Sequence, residues 1–273
     1  MNKKTATDLH SIEANFHDKW AEETSLDSVD VIAAFESPTA QENRFIMKLL
    51  GDIHGKKVLD IGCGLGESSL YFAMKGAAVT ALDVSPKMVE LTLRNAQLHD
   101  LAIEGVVGTG ESLNVPDGSF DIVYAANVIH HIQDRGQVYE NVSRCLKPGG
   151  IFVAWDPLKY NPAINLYRKK ASSVRTEDES PLGFDEFKLS RQYFHNLQHR
   201  EFWFGTLALF FKYYLINRYD PNEVRYWKRI LKENDATLGY WFKPLALMDK
   251  FLLHLPLVRR LAWNTVQWGT KEK

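Results

Sequence analysis

Val58-Leu59-Asp60-Ile61-Gly62-Cys63-Gly64-Leu65-Gly66 is the stretch on which the fold turns. Lys57 to Ile61 is a short apolar run that reads as a buried strand. The glycines after it let the backbone turn sharply into a helix and let a ligand approach without side-chain clash. The spacing is G-x-G-x-G, with Glu67 where a dinucleotide-binding loop would carry a third glycine. A pyrophosphate needs the bare positive end of a helix. A carboxylate in the first turn, with Asp60 just before the loop, disfavours polyphosphate and suits a ligand that carries a cationic amine.

Outward from this loop, strand alternates with helix. Glu67 to Lys75 is predicted helical, Ala78 to Leu82 a strand, and Ser85-Pro86 opens a helix through His99. Further strands are expected at 103–108, 120–125 and 151–155, with a helix over 133–146 closed by Lys147-Pro148-Gly149-Gly150. Ahead of the loop, Leu9, Ile12, Phe16 and Trp20 share one face of a helix over 8–24, and a second helix is expected over 38–51. This alternation predicts parallel strands joined by crossovers, with helices on both faces of the sheet. Ligands in such sheets bind beyond the carboxyl ends of the strands, where the glycines, Asp83, Glu111, Asn127 and Asp156 fall. Asp83 follows the loop by about 20 residues, where a carboxylate can accept both hydroxyls of an adenosine ribose.

Four landmarks in order, VLDIGCGLG, ALDVSPKMVELT, ESLNVPDGSFDIVYAANVIHHI and CLKPGGIFV, cover residues 56 to 155. In these the chain resembles the class I S-adenosylmethionine-dependent methyltransferases, in particular the small-molecule branch. The resemblance implies an α/β fold: a Rossmann-like, mostly parallel seven-stranded sheet with helices on both faces and a helical cap inserted near the C-terminus. It implies S-adenosyl-L-methionine as cofactor, with Asp60 and the Gly62, Cys63, Gly64 and Gly66 loop at its methionine part. Asp83 would take the ribose, Val84 and Met88 would pack on the adenine, and Asn127 would contact the cofactor through its backbone or amide. Relatives often read G-D-A-E where this chain has Gly108-Thr109-Gly110-Glu111, so Glu111 or the local backbone would meet the adenine amino group. Phe16, His17 and Trp20 resemble a segment that closes over the cofactor. The corresponding division is a helical lid (1–52), a core (53–204 and 261–273) and an acceptor-binding cap (205–260), with closing hairpin strands near 200–208 and 261–269.

Methyl transfer from a sulfonium needs alignment and exclusion of water, and a base only if the acceptor arrives protonated. His130, His131 and Asp156 are the candidates: an imidazole near neutral pKa could take that proton. The alternative is structural, with His130 capping a helix, His131 in the core and Asp156 capping the next turn. Adjacent histidines on a helix are expected to face apart, so no metal site is expected. Cys63 reads as a small residue that fits the loop.

Beyond Asp156, helices are expected at 162–172, 185–197, 218–232 and 245–255, with a solvated acidic loop at 176–180. Residues 205–260 mix aromatics with lysine and arginine. Such a segment can be a cap over an apolar acceptor pocket, a surface resting on a membrane, or a homodimer interface. A net charge of −1 and the lack of a basic domain or an N/D-P-P-Y/F motif speak against nucleic acid. Two cysteines without a CxxC pair, and no long apolar leader, suggest a reducing cytoplasm, with peripheral membrane association open. The expected function is methyl transfer to a small-molecule or lipid-like acceptor. A non-catalytic S-adenosylmethionine-binding protein is the alternative, while a nucleotide-dependent oxidoreductase is disfavoured by Glu67.

Overall fold

Residues 6–26, 29–171, 175–176, 179–233 and 235–272 are described by a computed structural model. Three helices precede the sheet. α1 (Ala6–Glu23) buries Leu9 and Ala21. α2 (Val31–Glu36) starts at Asp30, whose carboxylate accepts from the Ala33 N–H. α3 (Gln41–Leu50) stops at Gly51, where φ is +66°.

The core then runs β1 (Lys57–Ile61), α4 (Glu67–Met74), β2 (Ala78–Asp83), α5 (Pro86–Leu98), β3 (Ile103–Val107) and β4 (Phe120–Ala126). It continues through α6 (Arg135–Cys145), β5 (Leu146–Pro157), α7 (Pro162–Lys170), α8 (Glu186–Ser190) and β6 (His195–Phe202). Ser85 caps α5 by accepting from the Met88 N–H at 3.0 Å, and Pro86 occupies the first turn, where no N–H is missed. Before the last strand, β7 (Asn264–Thr270), come α9 (Ala208–Phe211), α10 (Tyr226–Arg229), α11 (Asp235–Thr237) and α12 (Lys243–Leu252). α9 runs into a π-helical turn at Lys212–Ile216, and a second such turn, Leu238–Phe242, leads into α12.

The sheet order is β3-β2-β1-β4-β5-β7-β6. β1 to β5 pair in parallel, and β7 lies antiparallel between β5 and β6. The strand order reverses between β1 and β4, which opens a crevice at their carboxyl ends. The pleat sends alternate residues to opposite faces. On β4, Ile122 and Tyr124 join one buried cluster, with residues of α2, α3, α4 and the 205–260 segment. Val123 and Ala125 join the other, with residues of α6 and α8. Helices therefore cover both faces, as the alternation predicts.

Several boundaries differ from expectation. β6 begins at His195, inside the helix expected over 185–197 and ahead of the strand expected at 200–208. It is an edge strand paired only with β7, so backbone hydrogen bonds set it and its polar sequence carries little strand signal. The helix expected over 218–232 is confined to α10 and a 3-10 turn at Ile230–Lys232, because Asp220-Pro221-Asn222 forms a turn, with Asp220 accepting from the Asn222 N–H. Lys147-Pro148-Gly149-Gly150 is extended within β5 instead of closing α6. Of the acidic loop at 176–180, Glu177 and Asp178 lie outside the described residues, as does Ser172 at the end of the helix expected over 162–172.

The chain between β6 and β7 is fastened by one carboxylate. Asp249 of α12 is 2% exposed and accepts from the Phe204, Gly205 and Thr206 N–H groups and the Thr206 hydroxyl. Replacing it by alanine strands several buried donors, each costing about 1–3 kcal/mol. Asp249→Ala is therefore expected to lower unfolding free energy by about 3 kcal/mol or more in urea titration, with Asp249→Asn less damaging.

Candidate active site

A cavity of about 360 Å³ lies over the crevice, within the roughly 300–1,000 Å³ usual for small-molecule sites. It is lined by Gly62, Cys63, Gly64, Leu65, Asp83, Val84, Thr109, Gly110, Glu111 and Asn127. His130 and His131 also line it, as do Trp20, Trp155, Trp203, Trp227 and Trp263.

The glycine loop is closed on itself. The Gly62 and Cys63 N–H groups donate to the Leu82 carbonyl at 2.7 and 3.0 Å. The Gly64 N–H donates to Asp83 Oδ2 at 2.9 Å, and the Gly66 N–H to the Cys63 carbonyl. Four donors that a phosphate-binding loop would turn on its ligand are thus spent internally, and Glu67 adds negative charge at the start of α4. Gly62 has φ +70°, and a Cβ there would meet Val128 Cγ2 at 2.2 Å, so no other residue fits.

Asp83 is 5% exposed and also accepts from the Ser85 N–H at 2.9 Å. Each of its oxygens keeps a lone pair for a further donor. Burial raises its pKa, and the Ser85 and Gly64 N–H groups oppose that. Glu111 is held by His10 of α1 at 3.3 Å. Thr109 closes a local turn on the Ser112 N–H. Asn127, at φ +56°, donates its N–H to the Trp155 carbonyl. Buried Cys63 lies 3.6 Å from the Thr92 hydroxyl, and burial pushes its thiol pKa up, so it is no nucleophile.

Two residues assigned to the ligand stand behind the cavity wall. Asp60 is fully buried, and its Oδ2 accepts from the hydroxyls of Ser68 and Ser69 at 2.6 and 2.5 Å. Burial pushes its pKa up to about 6. Met88 packs with Ala21, Leu65 and Leu91 between α1 and α5. Both shape the wall instead of lining the cavity.

His130 and His131 sit in a 3-10 turn, Ile129–His131, just past β4. Asp156 Oδ1 accepts the His130 backbone N–H at 3.1 Å and lies 2.8 Å from its Nδ1. Burial pushes the His130 pKa well below its usual value and raises that of Asp156, so burial opposes charge on both. His131 differs. Its Nδ1 lies 3.0 Å from Glu13 Oε1, and His17 Nε2 lies 3.0 Å from the same oxygen. Burial alone would lower the His131 pKa and raise that of Glu13. Their mutual hydrogen bond and charge outweigh it, leaving His131 raised and Glu13 lowered.

The expectation that the adjacent histidines face apart is overturned. Their ring centroids are 4.1 Å apart, because the turn is 3-10 and both Nδ1 atoms are fixed by carboxylates. With Glu179 they bring ligand-capable atoms within 4.8 Å of one another. Thr176 and Glu179 line the cavity rather than a solvated loop, and Glu179 is ion-paired with Arg175.

α1 roofs the site. Phe16, His17 and Trp20 line the cavity, and Trp20 is clasped by the Arg225 guanidinium 3.7 Å from its ring centre and by Trp227 edge-on. Lys228 pairs with Glu67. Glu13, His10 and Arg225 escape sequence reading because their partners are far away in the chain; the i, i+4 spacing of Glu13 and His17 was the one local signal.

Residues 59–154 match the family model for a methyltransferase domain. Phosphoethanolamine N-methyltransferase 1 of Arabidopsis thaliana is 37% identical over 97 residues, 35% of this chain and 20% of that protein. The chain thus spans about a fifth of the length of that relative. The 2-methyl-6-phytyl-1,4-hydroquinone methyltransferase of Synechocystis sp. is 29% identical over 210 residues, 69% of this chain and 60% of that protein. Among solved structures, phosphoethanolamine N-methyltransferase 2 of Haemonchus contortus, in complex with S-adenosyl-L-methionine, superposes with a TM-score of 0.58 at 18% identity. That match covers 98% of this chain and 58% of the other. The fold is that of the class I S-adenosylmethionine-dependent methyltransferases, and residues 59–154 are similar to their methyltransferase domain.

The Glu13–His131 pair makes stability depend on pH. A histidine whose folded pKa is raised contributes stability that is fully present below its unfolded pKa, about 6.5, and lost as pH rises through the folded value. Glu13→Gln is therefore expected to destabilise the protein more at pH 6 than at pH 9 in parallel denaturant titrations; equal penalties would dismiss the pair.

Proposed function

We propose that this protein transfers a methyl group from S-adenosylmethionine to a small, largely apolar acceptor bearing an ionisable hydroxyl. The observation that carries the reading is one cavity that joins the closed glycine loop and Asp83 to His131 and a tryptophan-lined chamber. The donor set fits the cofactor. Asp83 offers lone pairs to a ribose, Glu111 stands beside it in the lining, and the Gly62, Cys63, Gly64 and Gly66 N–H groups are already spent within the protein. When bound, S-adenosylmethionine supplies an electrophilic methyl group on a sulfonium.

The chain's own residues then have three tasks. α1 and Trp227 cover part of the cavity and so limit its contact with water. The tryptophans hold the acceptor flat and desolvated. His131 takes the acceptor's proton at Nε2 while Glu13 holds its Nδ1–H, fixing tautomer and orientation. His131 suits this task because Glu13 brings its pKa up, whereas buried His130 is too weak a base and instead positions the turn through Asp156.

The chamber also favours one class of acceptor. Arg175 and Lys228 are the lysine and arginine residues among the described cavity-lining residues, and each is paired with a carboxylate. A phosphorylated acceptor, as in the name of the Arabidopsis relative, finds no free cation there. An aromatic or prenylated hydroxyl compound, as in the name of the Synechocystis relative, finds five indoles, Trp20 among them.

Calorimetry is expected to give micromolar binding of S-adenosylmethionine and S-adenosylhomocysteine, about −8 kcal/mol, with none for NAD. Asp83→Asn, which keeps size but exchanges an acceptor for a donor, should weaken both roughly tenfold or more. Unchanged affinity would refute the ribose assignment. In turnover assays on hydroquinone-type acceptors, kcat/KM should climb with pH through the raised pKa of His131. His131→Ala should cost about 10²–10⁴-fold in kcat.

A further inference from the structure

Of the eighteen large hydrophobic side chains exposed among the described residues, twelve lie between Phe211 and Leu261. The densest group follows α12 and the turns at its two ends. Tyr240 is 87% exposed, Phe251 68% and Leu257 79%, and Trp241, Leu247 and Leu255 are exposed with them. Leu247 and Phe251 are four apart on α12 and share its exposed face, with Tyr240 and Leu255 exposed in the turns at either end. The opposite side of the segment is inward: Phe242 is buried against Trp203, which lines the cavity.

The charges on this stretch have one sign. From Leu238 to Leu261 the sole carboxylate is Asp249, which is buried and saturated by the donors of residues 204–206. The exposed charges are Lys243, Lys250 and Arg260. Within 238–261 the exposed charges beside this apolar stripe are thus cationic, with Asp235 the exposed carboxylate just ahead of it.

We propose that this face docks on an anionic bilayer surface. The stripe would sink into the headgroup boundary, and the lysines would meet lipid phosphates, as interfacial amphipathic helices do. Among the described residues no helix is long and apolar enough to cross a membrane, so the contact is to one leaflet. A second copy of the chain is the weaker occupant. A two-fold interface sets each patch against itself, which would bring Lys243, Lys250 and Arg260 toward their own copies with no carboxylate to answer them. Docking here would turn the cavity wall that includes Trp203 toward the layer from which an apolar acceptor comes. The surface stands on its own observations, and its test needs no methyl transfer.

The test is co-sedimentation of the full chain with sucrose-loaded vesicles of phosphatidylcholine alone or with roughly 30% phosphatidylglycerol. The protein should pellet with the anionic vesicles, bind neutral ones at least about fivefold less, and lose most binding in about 0.5 M salt. Leu247→Glu/Phe251→Glu, at exposed positions, should weaken partitioning by about tenfold or more with an unchanged melting temperature. Lys243→Glu/Lys250→Glu should abolish the preference for anionic lipid while leaving the apolar stripe intact. Absence of pelleting with either vesicle, or variants that bind like the parent, would overturn the proposal. So would a dimer in analytical ultracentrifugation that these same substitutions dissociate, since the face would then be covered by a second copy.

Discussion

Asp83 is the carboxylate through which the binding crevice is held. It accepts from Gly64 in the loop after β1 and from Ser85 at the cap of α5. Two crossovers that diverge from adjacent strands are thereby tied at one point. Buried charge is costly unless its lone pairs are used, and both oxygens here have donors from the backbone. The loop can accordingly spend its own N–H groups on neighbours and still keep its shape, which makes this crevice unlike one built for phosphate. Asp60 supports the arrangement from beneath, through Ser68 and Ser69 in the first turn of α4.

A second set of charged contacts closes the crevice from above. His10, Glu13 and His17 lie on successive turns of α1 and reach Glu111 and His131, while Trp20 reaches Arg225. Isolated surface ion pairs contribute little. These are partly buried and share partners, so they locate the helix in rotation as well as in position. Core, lid and the segment between β6 and β7 meet at this seam.

The parallel half of the sheet was legible because its signals are local. Val58 to Ile61, the glycines and Ser85-Pro86 each state their conformation within a few residues, and β1, β2, β4 and α5 fall within a residue or two of expectation. α2 was not legible: its six residues make fewer than two turns, too few to show a repeat, and its place comes from Phe35 stacking on Tyr71 at 4.2 Å. β6 failed for the same reason, since an edge strand takes its register from β7. At the site, Asp83, Asn127, His130 and His131 line the cavity, whereas Asp156 is buried behind it against His130. What position along the chain could not give was which histidine meets which carboxylate, because Glu13 reaches His131 only after α1 has folded across the sheet. Asp60 and Met88 were misplaced by the opposite error: correct strand and helix, but side chains turned to the wall.

α1 carries both the roof of the cavity and the partner of His131. Any swing of that helix wide enough to admit or release a ligand also draws Glu13 away from the imidazole. Access and basicity would then be coupled: with α1 displaced, the imidazole loses its nearest carboxylate, Glu13, and part of its burial together. On the proposed mechanism the reactive arrangement would exist only while α1 lies over the cavity, so one helix would govern both entry and basicity.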